Sequence, residues 1–315
     1  MSSAISREAI EAAHARIGDF VRKTPVLELP RGELSDRARV CLKLELLQRT
    51  GSFKPRGAFN NVLQREVPAA GIAAASGGNH GIAVAHVART LGIRATLFVP
   101  ESASRVKIEA IRSLGADLRL HGTSYDEAQS ACLDHVARAG ALHVHPFDDE
   151  ATIAGQGTIG KEWEAQCPGL DAVLVATGGG GLVSGIASWY AGRGVKVIAV
   201  EPMGANALHA SMAAGHPVAI QVRSIAADSL GPSRVSDRVH EICASSVDRV
   251  VLVSDDAIVR AQGLLWQAYG LIAEPGGATA LAALLDGAFV PAPGNRVGVL
   301  LCGRNAALDT GTFGD

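Results

Sequence analysis

The stretch AVLVATGGGGLVSGIA, residues 172–187, joins an apolar run to a helical pattern through four consecutive glycines. Short runs that are apolar on both faces are typical of strands buried in a parallel sheet, and glycines permit a tight turn into the next helix. The free amides of such a turn, together with the positive end of the following helix, form a site for a phosphate group. The stretch therefore predicts a strand, a phosphate-binding loop and a helix in succession.

The same alternation recurs along the chain. ATLFVP (95–100) precedes the helical pattern RVKIEAIRSLGA (105–116), and RVVLVS (249–254) precedes AIVRAQGLLWQAYGLI (257–272). Apolar strands separated by helices indicate an α/β fold with mostly parallel sheets covered on both sides. We expect two doubly wound domains: a large one formed by residues 1–69 and 148–315, and a small one, residues 70–147, inserted in it.

Composition limits the function. Of 315 residues, 48% are hydrophobic and the formal net charge is -2, without a basic stripe for nucleic acid or an anionic membrane. The first twenty residues are charged throughout and no later apolar stretch could span a bilayer, which predicts a cytoplasmic protein.

Five scattered cysteines without a CxxC pair support neither a disulfide framework nor a zinc site, and no metal is expected. The chain ends about ten residues past Asn305, so no appended regulatory domain is expected.

The glycine run has an alternative interpretation. Gly179, Gly181 and Ser184 approach a dinucleotide-binding fingerprint, and Glu201 ends the next strand where a ribose-binding acid would lie. Such short motifs often mislead, and this one has Ser184 where the third position calls for Gly or Ala. A nicotinamide-dependent oxidoreductase is therefore a competing hypothesis.

GSFKPRG, residues 51–57, contains the best candidate for a reactive group. Pro55 biases the preceding residue toward an extended backbone and suits a first helical turn, so Lys54 is expected just before a helix. An isolated lysine is usually a surface residue. An amine in an apolar pocket can instead become the nucleophile that forms a Schiff base.

Three further stretches are weak signals when taken singly. SGGNHG (76–81) places Ser76, Asn79 and His80 at the start of a helix, where a substrate carboxylate could bind, although capping or a structural histidine would explain them equally. Glu274 in EPGGA could simply complement a helix dipole. Cys302 in LLCGRN (300–305) could be core filling, since free cysteines are commonly buried.

Taken in order, the motifs GSFKPRG, SGGNHG, HPFDDEATIAGQGTIGKE, TGGGGLVSG, VEP, EPGGA and CGRN resemble the fold-type II pyridoxal-phosphate enzymes, of the tryptophan synthase β-like fold. Within that family the chain most resembles the threonine/serine dehydratase and serine racemase group, and specifically the catalytic domain of a threonine dehydratase. The resemblance extends from about Thr24 to Asn305. The resemblance implies a homodimer that uses pyridoxal 5'-phosphate and takes an amino acid as its small-molecule substrate.

The resemblance also implies residue roles. Lys54 would hold the cofactor as a Schiff base and act in catalysis with Ser76, and Phe53 would pack against the cofactor ring. The phosphate would bind at Gly178, Gly179, Gly180, Gly181 and Leu182. Asn79 would bind the ring hydroxyl, Glu274 would lie near the cofactor, and Cys302 would face the pyridine nitrogen. The substrate would contact Ser76, Gly77, Asn79 and His80.

The expected activity is that of a threonine/serine dehydratase-like ammonia-lyase, which removes water from a β-hydroxy amino acid to give a 2-oxo acid and ammonia. Related racemases have a serine at the position of Gly77, so racemisation is disfavoured here. Relatives with a divalent ion have a carboxylate at the position of Ala207, so that metal site is not carried over. Ile82 and Arg304 also depart from the pattern, which keeps 3-hydroxyaspartate, phenylserine or a compatible-solute breakdown product open as the substrate. A non-catalytic binding protein is a further alternative.

Overall fold

The computed structural model describes residues 5–306. Its strands, in chain order, are β1 Val26–Leu29, β2 Arg39–Lys43, β3 Ile72–Ala75, β4 Ala95–Val99, β5 Asp117–Leu120, β6 Leu142–His143, β7 Ala172–Ala176, β8 Lys196–Pro202, β9 Arg249–Val253 and β10 Arg296–Leu300. Its helices are α1 Arg7–Ile17, α2 Lys54–Leu63, α3 Asn79–Leu91, α4 Arg105–Ser113, α5 Tyr125–Ala139, α6 Glu150–Gln166, α7 Gly181–Tyr190, α8 Ala207–Ala214, α9 Ala227–Leu230, α10 Asp237–Ser246, α11 Asp255–Tyr269 and α12 Pro275–Leu285.

The strands of residues 5–306 form two sheets. One has six strands in the order β1-β2-β10-β7-β8-β9 and the other has four in the order β5-β4-β3-β6. The pairing is parallel throughout except between β1 and β2. The predicted α/β class with mostly parallel sheets is thus confirmed. The four-stranded sheet uses only strands between residues 72 and 143, whereas the boundaries of the predicted domains stay a prediction.

The four-stranded sheet is covered on both faces, as a doubly wound architecture requires. Along β3, Ile72 and Ala74 belong to one apolar cluster, while Ala73 and Ala75 belong to another. Alternate residues of a strand point to opposite faces, so this short run serves two cores at once. Over the described part of the chain, no helix has both the length and the apolar character needed to cross a membrane.

The position of the last strand brings distant segments together. β10 lies between β2 and β7, with Leu300 opposite Lys43. The loop that follows β10 therefore meets the loop that leads to α2. Ser52 and Gly303 form an antiparallel bridge, and the Phe53 amide donates to the Cys302 carbonyl at 3.1 Å. The LLCGRN and GSFKPRG segments are thus one structural unit.

Helix α2 begins at Lys54 itself, not one residue later as predicted. The bias that Pro55 places on the preceding residue is weak enough for the first helical turn to override it. A buried network of charges holds this helix in place. The Arg56 guanidinium lies 2.7 Å from Glu45 and 3.0 Å from Glu162, and Glu162 also pairs with Lys43 at 2.5 Å. The network ties the lysine-bearing helix to β2 and to α6.

Candidate active site

A cavity of about 900 Å³ is lined by segments from both sheets. This volume lies in the range of roughly 300–1,000 Å³ that is usual for small-molecule sites. The lining includes every residue that the sequence predicts for the site: Phe53, Lys54, Ser76, Gly77, Asn79, His80, Gly178, Gly179, Gly180, Gly181, Leu182, Glu274 and Cys302. The fold thus brings together motifs that are spread over some 250 positions of the sequence.

The glycine loop leads from β7 into α7, as predicted. Gly180 caps the helix with a φ of +84°, a conformation that favours glycine. A Cβ on Gly179 would lie 2.4 Å from the Phe147 ring, and one on Gly178 would lie 2.7 Å from Leu230. The glycines therefore let other segments pack closely against the loop, while their amides stay free of side chains at the positive end of a ten-residue helix.

Lys54 reaches the cavity as a buried amine. Its Nζ donates to the Pro146 carbonyl at 2.9 Å and lies 5.2 Å from the centre of the Phe53 ring. Burial lowers the pKa of Lys54 to about 8, although Cys302 and Glu274 oppose the shift. An amine in this position is neutral in an appreciable fraction of molecules near neutral pH, which favours its use as a nucleophile or base.

Cys302 is buried on the cavity wall, and its thiol donates to the Gly276 carbonyl at 3.4 Å. Burial, reinforced by Glu274, raises the pKa of this thiol well above its usual value. The group is therefore a neutral thiol, able to donate one hydrogen bond.

Asn79 has a fixed amide orientation. Its Nδ2 donates to the Glu274 carboxylate, and its Oδ1 accepts from Asn305 Nδ2 at 2.8 Å. Asn305 Nδ2 also donates to the Thr50 carbonyl at 2.7 Å, and Thr50 has the positive φ of 64°. Because both ends of the amide are engaged, one N–H of Asn79 is left with a defined direction.

The SGGNHG loop lies at the start of α3. Ser76 Oγ accepts from the Gly78 amide at 3.1 Å, so its hydroxyl hydrogen is left for another partner. His80 Nε2 donates to the Val144 carbonyl at 2.8 Å, and burial lowers the pKa of this ring well below its ordinary value. His80 is therefore a neutral residue that joins α3 to the segment after β6.

Among the residues singled out from the sequence, Glu201, Ile82 and Arg304 do not line the cavity. Glu201 is buried, and its carboxylate accepts from the Leu208 and His209 amides at 2.8 Å each, so it caps α8 instead of meeting a ribose. Ile82 packs in the core of the four-stranded sheet. Arg304 is exposed on the loop after β10. These positions remove the structural support for a dinucleotide site at Glu201.

Comparison with known proteins agrees with this geometry. A family model described as pyridoxal-phosphate dependent enzyme matches residues 17–303. Phenylserine dehydratase of Ralstonia pickettii is 41% identical over 313 residues, covering 97% of this chain and 94% of that protein. The chain belongs to the family of pyridoxal-phosphate dependent enzymes.

Solved structures narrow the group. Maize serine racemase superposes with a TM-score of 0.92 at 31% identity, covering 98% of this chain and 95% of that chain. The threonine deaminase of T.th. gives a TM-score of 0.90 at 34% identity, covering 96% of this chain and 99% of that chain. The protein is thus a pyridoxal-phosphate-dependent lyase of the threonine/serine dehydratase group, as the sequence motifs predicted.

The residues of the cavity fit pyridoxal phosphate. The bare amides at the start of α7 suit its phosphate, the Lys54 amine suits its aldehyde, and the Asn79 amide and the Cys302 thiol offer donors to the polar atoms of its ring.

One segment that lines the cavity, residues 227–231, was not predicted from the sequence. Segment 227–231, which contains α9, contacts glycines of three motifs, since a Cβ on Gly78, Gly178 or Gly276 would lie within 3.3 Å of it. No local pattern marks ADSLG as part of a site, because its role depends on long-range contacts.

Proposed function

We propose that this enzyme is an ammonia-lyase that eliminates water from L-threonine or L-serine and releases a 2-oxo acid and ammonia. The buried Lys54 amine, facing a bare glycine loop across one cavity, is the observation that supports the proposal most strongly. Pyridoxal phosphate, when bound, supplies an electron-withdrawing ring that stabilises negative charge on the substrate Cα.

The residues of the cavity would divide the work. Lys54 would hold the cofactor and, once the substrate amine has replaced it, would take the Cα proton as a base, for which a pKa of about 8 is suitable. Gly178, Gly179, Gly180, Gly181 and Leu182 would hold the phosphate at the start of α7. Phe53 would pack against the ring and Asn79 would donate to its hydroxyl. The Cys302 thiol would turn its single hydrogen from the Gly276 carbonyl to the ring nitrogen. Glu274 would act through Asn79, whose amide it orients.

The substrate would bind at the SGGNHG loop. Ser76 and the amide of Gly77, at the positive end of the thirteen-residue helix α3, suit a carboxylate. His80, being neutral, would support the loop. Gly77 has no proton-carrying side chain, and a Cβ there would lie 2.4 Å from Ala103. Elimination from one face of the Cα is therefore favoured over racemisation.

A second candidate substrate is phenylserine. Beyond the predicted site, the cavity lining includes the apolar residues Pro100, Ala103, Ile220 and Val222. Apolar lining residues would favour a phenyl ring, and one relative is named phenylserine dehydratase. Arg304, which motivated 3-hydroxyaspartate as a substrate, does not line the cavity, whereas Arg234 does, so this substrate stays in the comparison.

Release of 2-oxo acid and ammonia from a substrate panel tests the proposal. The cofactor-loaded enzyme would be assayed with L-serine, L-threonine, phenylserine and 3-hydroxyaspartate, with Lys54→Ala as the inactive control. The highest kcat/KM for threonine or serine is the expected result. A higher value for phenylserine would select the second candidate, and loaded enzyme without release from any β-hydroxy amino acid would refute the proposal.

We further propose that the enzyme is a cytoplasmic homodimer, on the strength of its family resemblance. Sedimentation equilibrium of the loaded enzyme would give twice the chain mass of 32.4 kDa. A monomer under the same conditions would contradict this.

A further inference from the structure

Lys107 is the most unusual ionisable residue outside the predicted site. It lies on α4, beside the four-stranded sheet, is 1% exposed and does not line the cavity. Its Nζ is 2.5 Å from Asp228 Oδ2 and 3.2 Å from Glu274 Oε2. Both carboxylates line the cavity and belong to elements beside the other sheet, α9 and the N-terminus of α12. Lys107 thus connects α4 to α9 and to the N-terminus of α12 through ion pairs with two residues that line the cavity.

The ion pairs continue into the site. The other oxygen of Glu274 accepts from Asn79, and Asn79 in turn accepts from Asn305. Glu274 also faces Lys54 and Cys302, whose pKa values it affects. Burial opposes the charged form of Lys107, but Glu274 and Asp228 outweigh it and raise its pKa, so the side chain is an ammonium at neutral pH. One buried cation therefore balances the buried Glu274 carboxylate, while the Asp228 side chain is 51% exposed and also meets solvent.

We infer that Lys107 is a positioning residue for the cofactor: it holds Glu274, and through Glu274 the donor face of Asn79, while it compensates the charge of the two carboxylates. This inference rests on the proposed function. Loss of the ammonium would leave the buried Glu274 carboxylate uncompensated beside the binding site of an anionic cofactor, and it would free Glu274 from the position that orients Asn79. Both effects weaken cofactor binding.

Cofactor titration of Lys107→Met tests the inference. Cofactor-free proteins would be titrated with pyridoxal phosphate, with the visible absorbance as the readout of Kd and thermal unfolding as a separate measure of folding. We expect the Kd to rise roughly tenfold or more, since hydrogen bonds to charged groups contribute about 1.5–3 kcal/mol. Lys196→Met, an exposed lysine at the start of β8, is the matched control and should leave the Kd unchanged.

The double variant Lys107→Met/Glu274→Gln separates positioning from a merely structural role. Glutamine removes the uncompensated charge and still accepts a hydrogen bond from Asn79, so the Kd should return to within about threefold of the wild-type value. The inference would be overturned if the losses of binding free energy in the single variants Lys107→Met and Glu274→Gln simply added in the double variant. It would also be overturned if Lys107→Met bound the cofactor with the Kd of the control. If Lys107→Met does not fold, Lys107→Gln/Glu274→Gln carries the test, with the same expectation. Wild-type protein that bound no cofactor would overturn the proposed function as well.

Discussion

Lys54 provides a test at the scale of a single residue, because its burial has a kinetic consequence. Only the neutral amine can attack an aldehyde, and burial lowers the pKa of Lys54 to about 8. The rate at which cofactor-free protein takes up pyridoxal phosphate should rise roughly tenfold from pH 7 to pH 9 and then level off, whereas a lysine of ordinary pKa would give a rise of close to a hundredfold. Stopped-flow absorbance measures this rate. A steep rise that continued past pH 9 would show that Lys54 is not buried as described.

Gly77 provides a second test at the scale of a single residue, because related racemases have a serine at this position. A Cβ there would lie 2.4 Å from Ala103 Cβ and 2.8 Å from Val99 Cγ1. We therefore expect Gly77→Ser to lower the free energy of unfolding by about 1–3 kcal/mol, as overpacking does, without producing D-serine from L-serine. Urea unfolding and chiral chromatography check the two parts. Gly263→Ser, where nothing lies within 4 Å of the new Cβ, is the matched control.

At the scale of an element, the placement of α2 depends on buried charge. Arg56→Met would leave Glu45 and Glu162 without their shared guanidinium, and breaking a buried pair in this way costs about 3–5 kcal/mol. We expect that loss in the free energy of urea unfolding, together with weaker cofactor binding because Lys54 opens the same helix. Arg105→Met removes an exposed pair with Glu109 and should cost less than about 0.5 kcal/mol. Equal losses in the two variants would contradict the role of the network.

Individual elements also show how far the sequence could predict the site. β7, the glycine loop and α7 follow from a local pattern, since each depends on neighbours in the chain. α9 and Lys107 could not be predicted, because four-residue ADSL has no periodicity and Lys107 occupies a helix whose sequence pattern indicates partial exposure. Cys302 lines the cavity, and its bond to Gly276 depends on a contact across 26 positions. Long-range packing decides these features, and one sequence does not display it.

At the scale of the whole molecule, the parallel sheets bring the functional loops together. β10 inserts between β2 and β7, so the loops after these strands meet at one edge, where ligands bind in open α/β sheets. The loops after β3 and β4 of the smaller sheet line the same cavity. The family resemblance carried by the ordered motifs implies that their residues share one site, whereas Glu201, which fits a fingerprint by spacing alone, caps a helix elsewhere.

Chemical trapping of the cofactor tests the central claim most directly. The cofactor-loaded enzyme would be reduced with borohydride, digested and analysed by mass spectrometry, with Lys54→Ala in parallel. We expect a single pyridoxyl-modified lysine, Lys54, and no modified peptide from the variant. Modification of Lys107 or of any other lysine instead of Lys54, or protein that takes up no cofactor, would contradict the account.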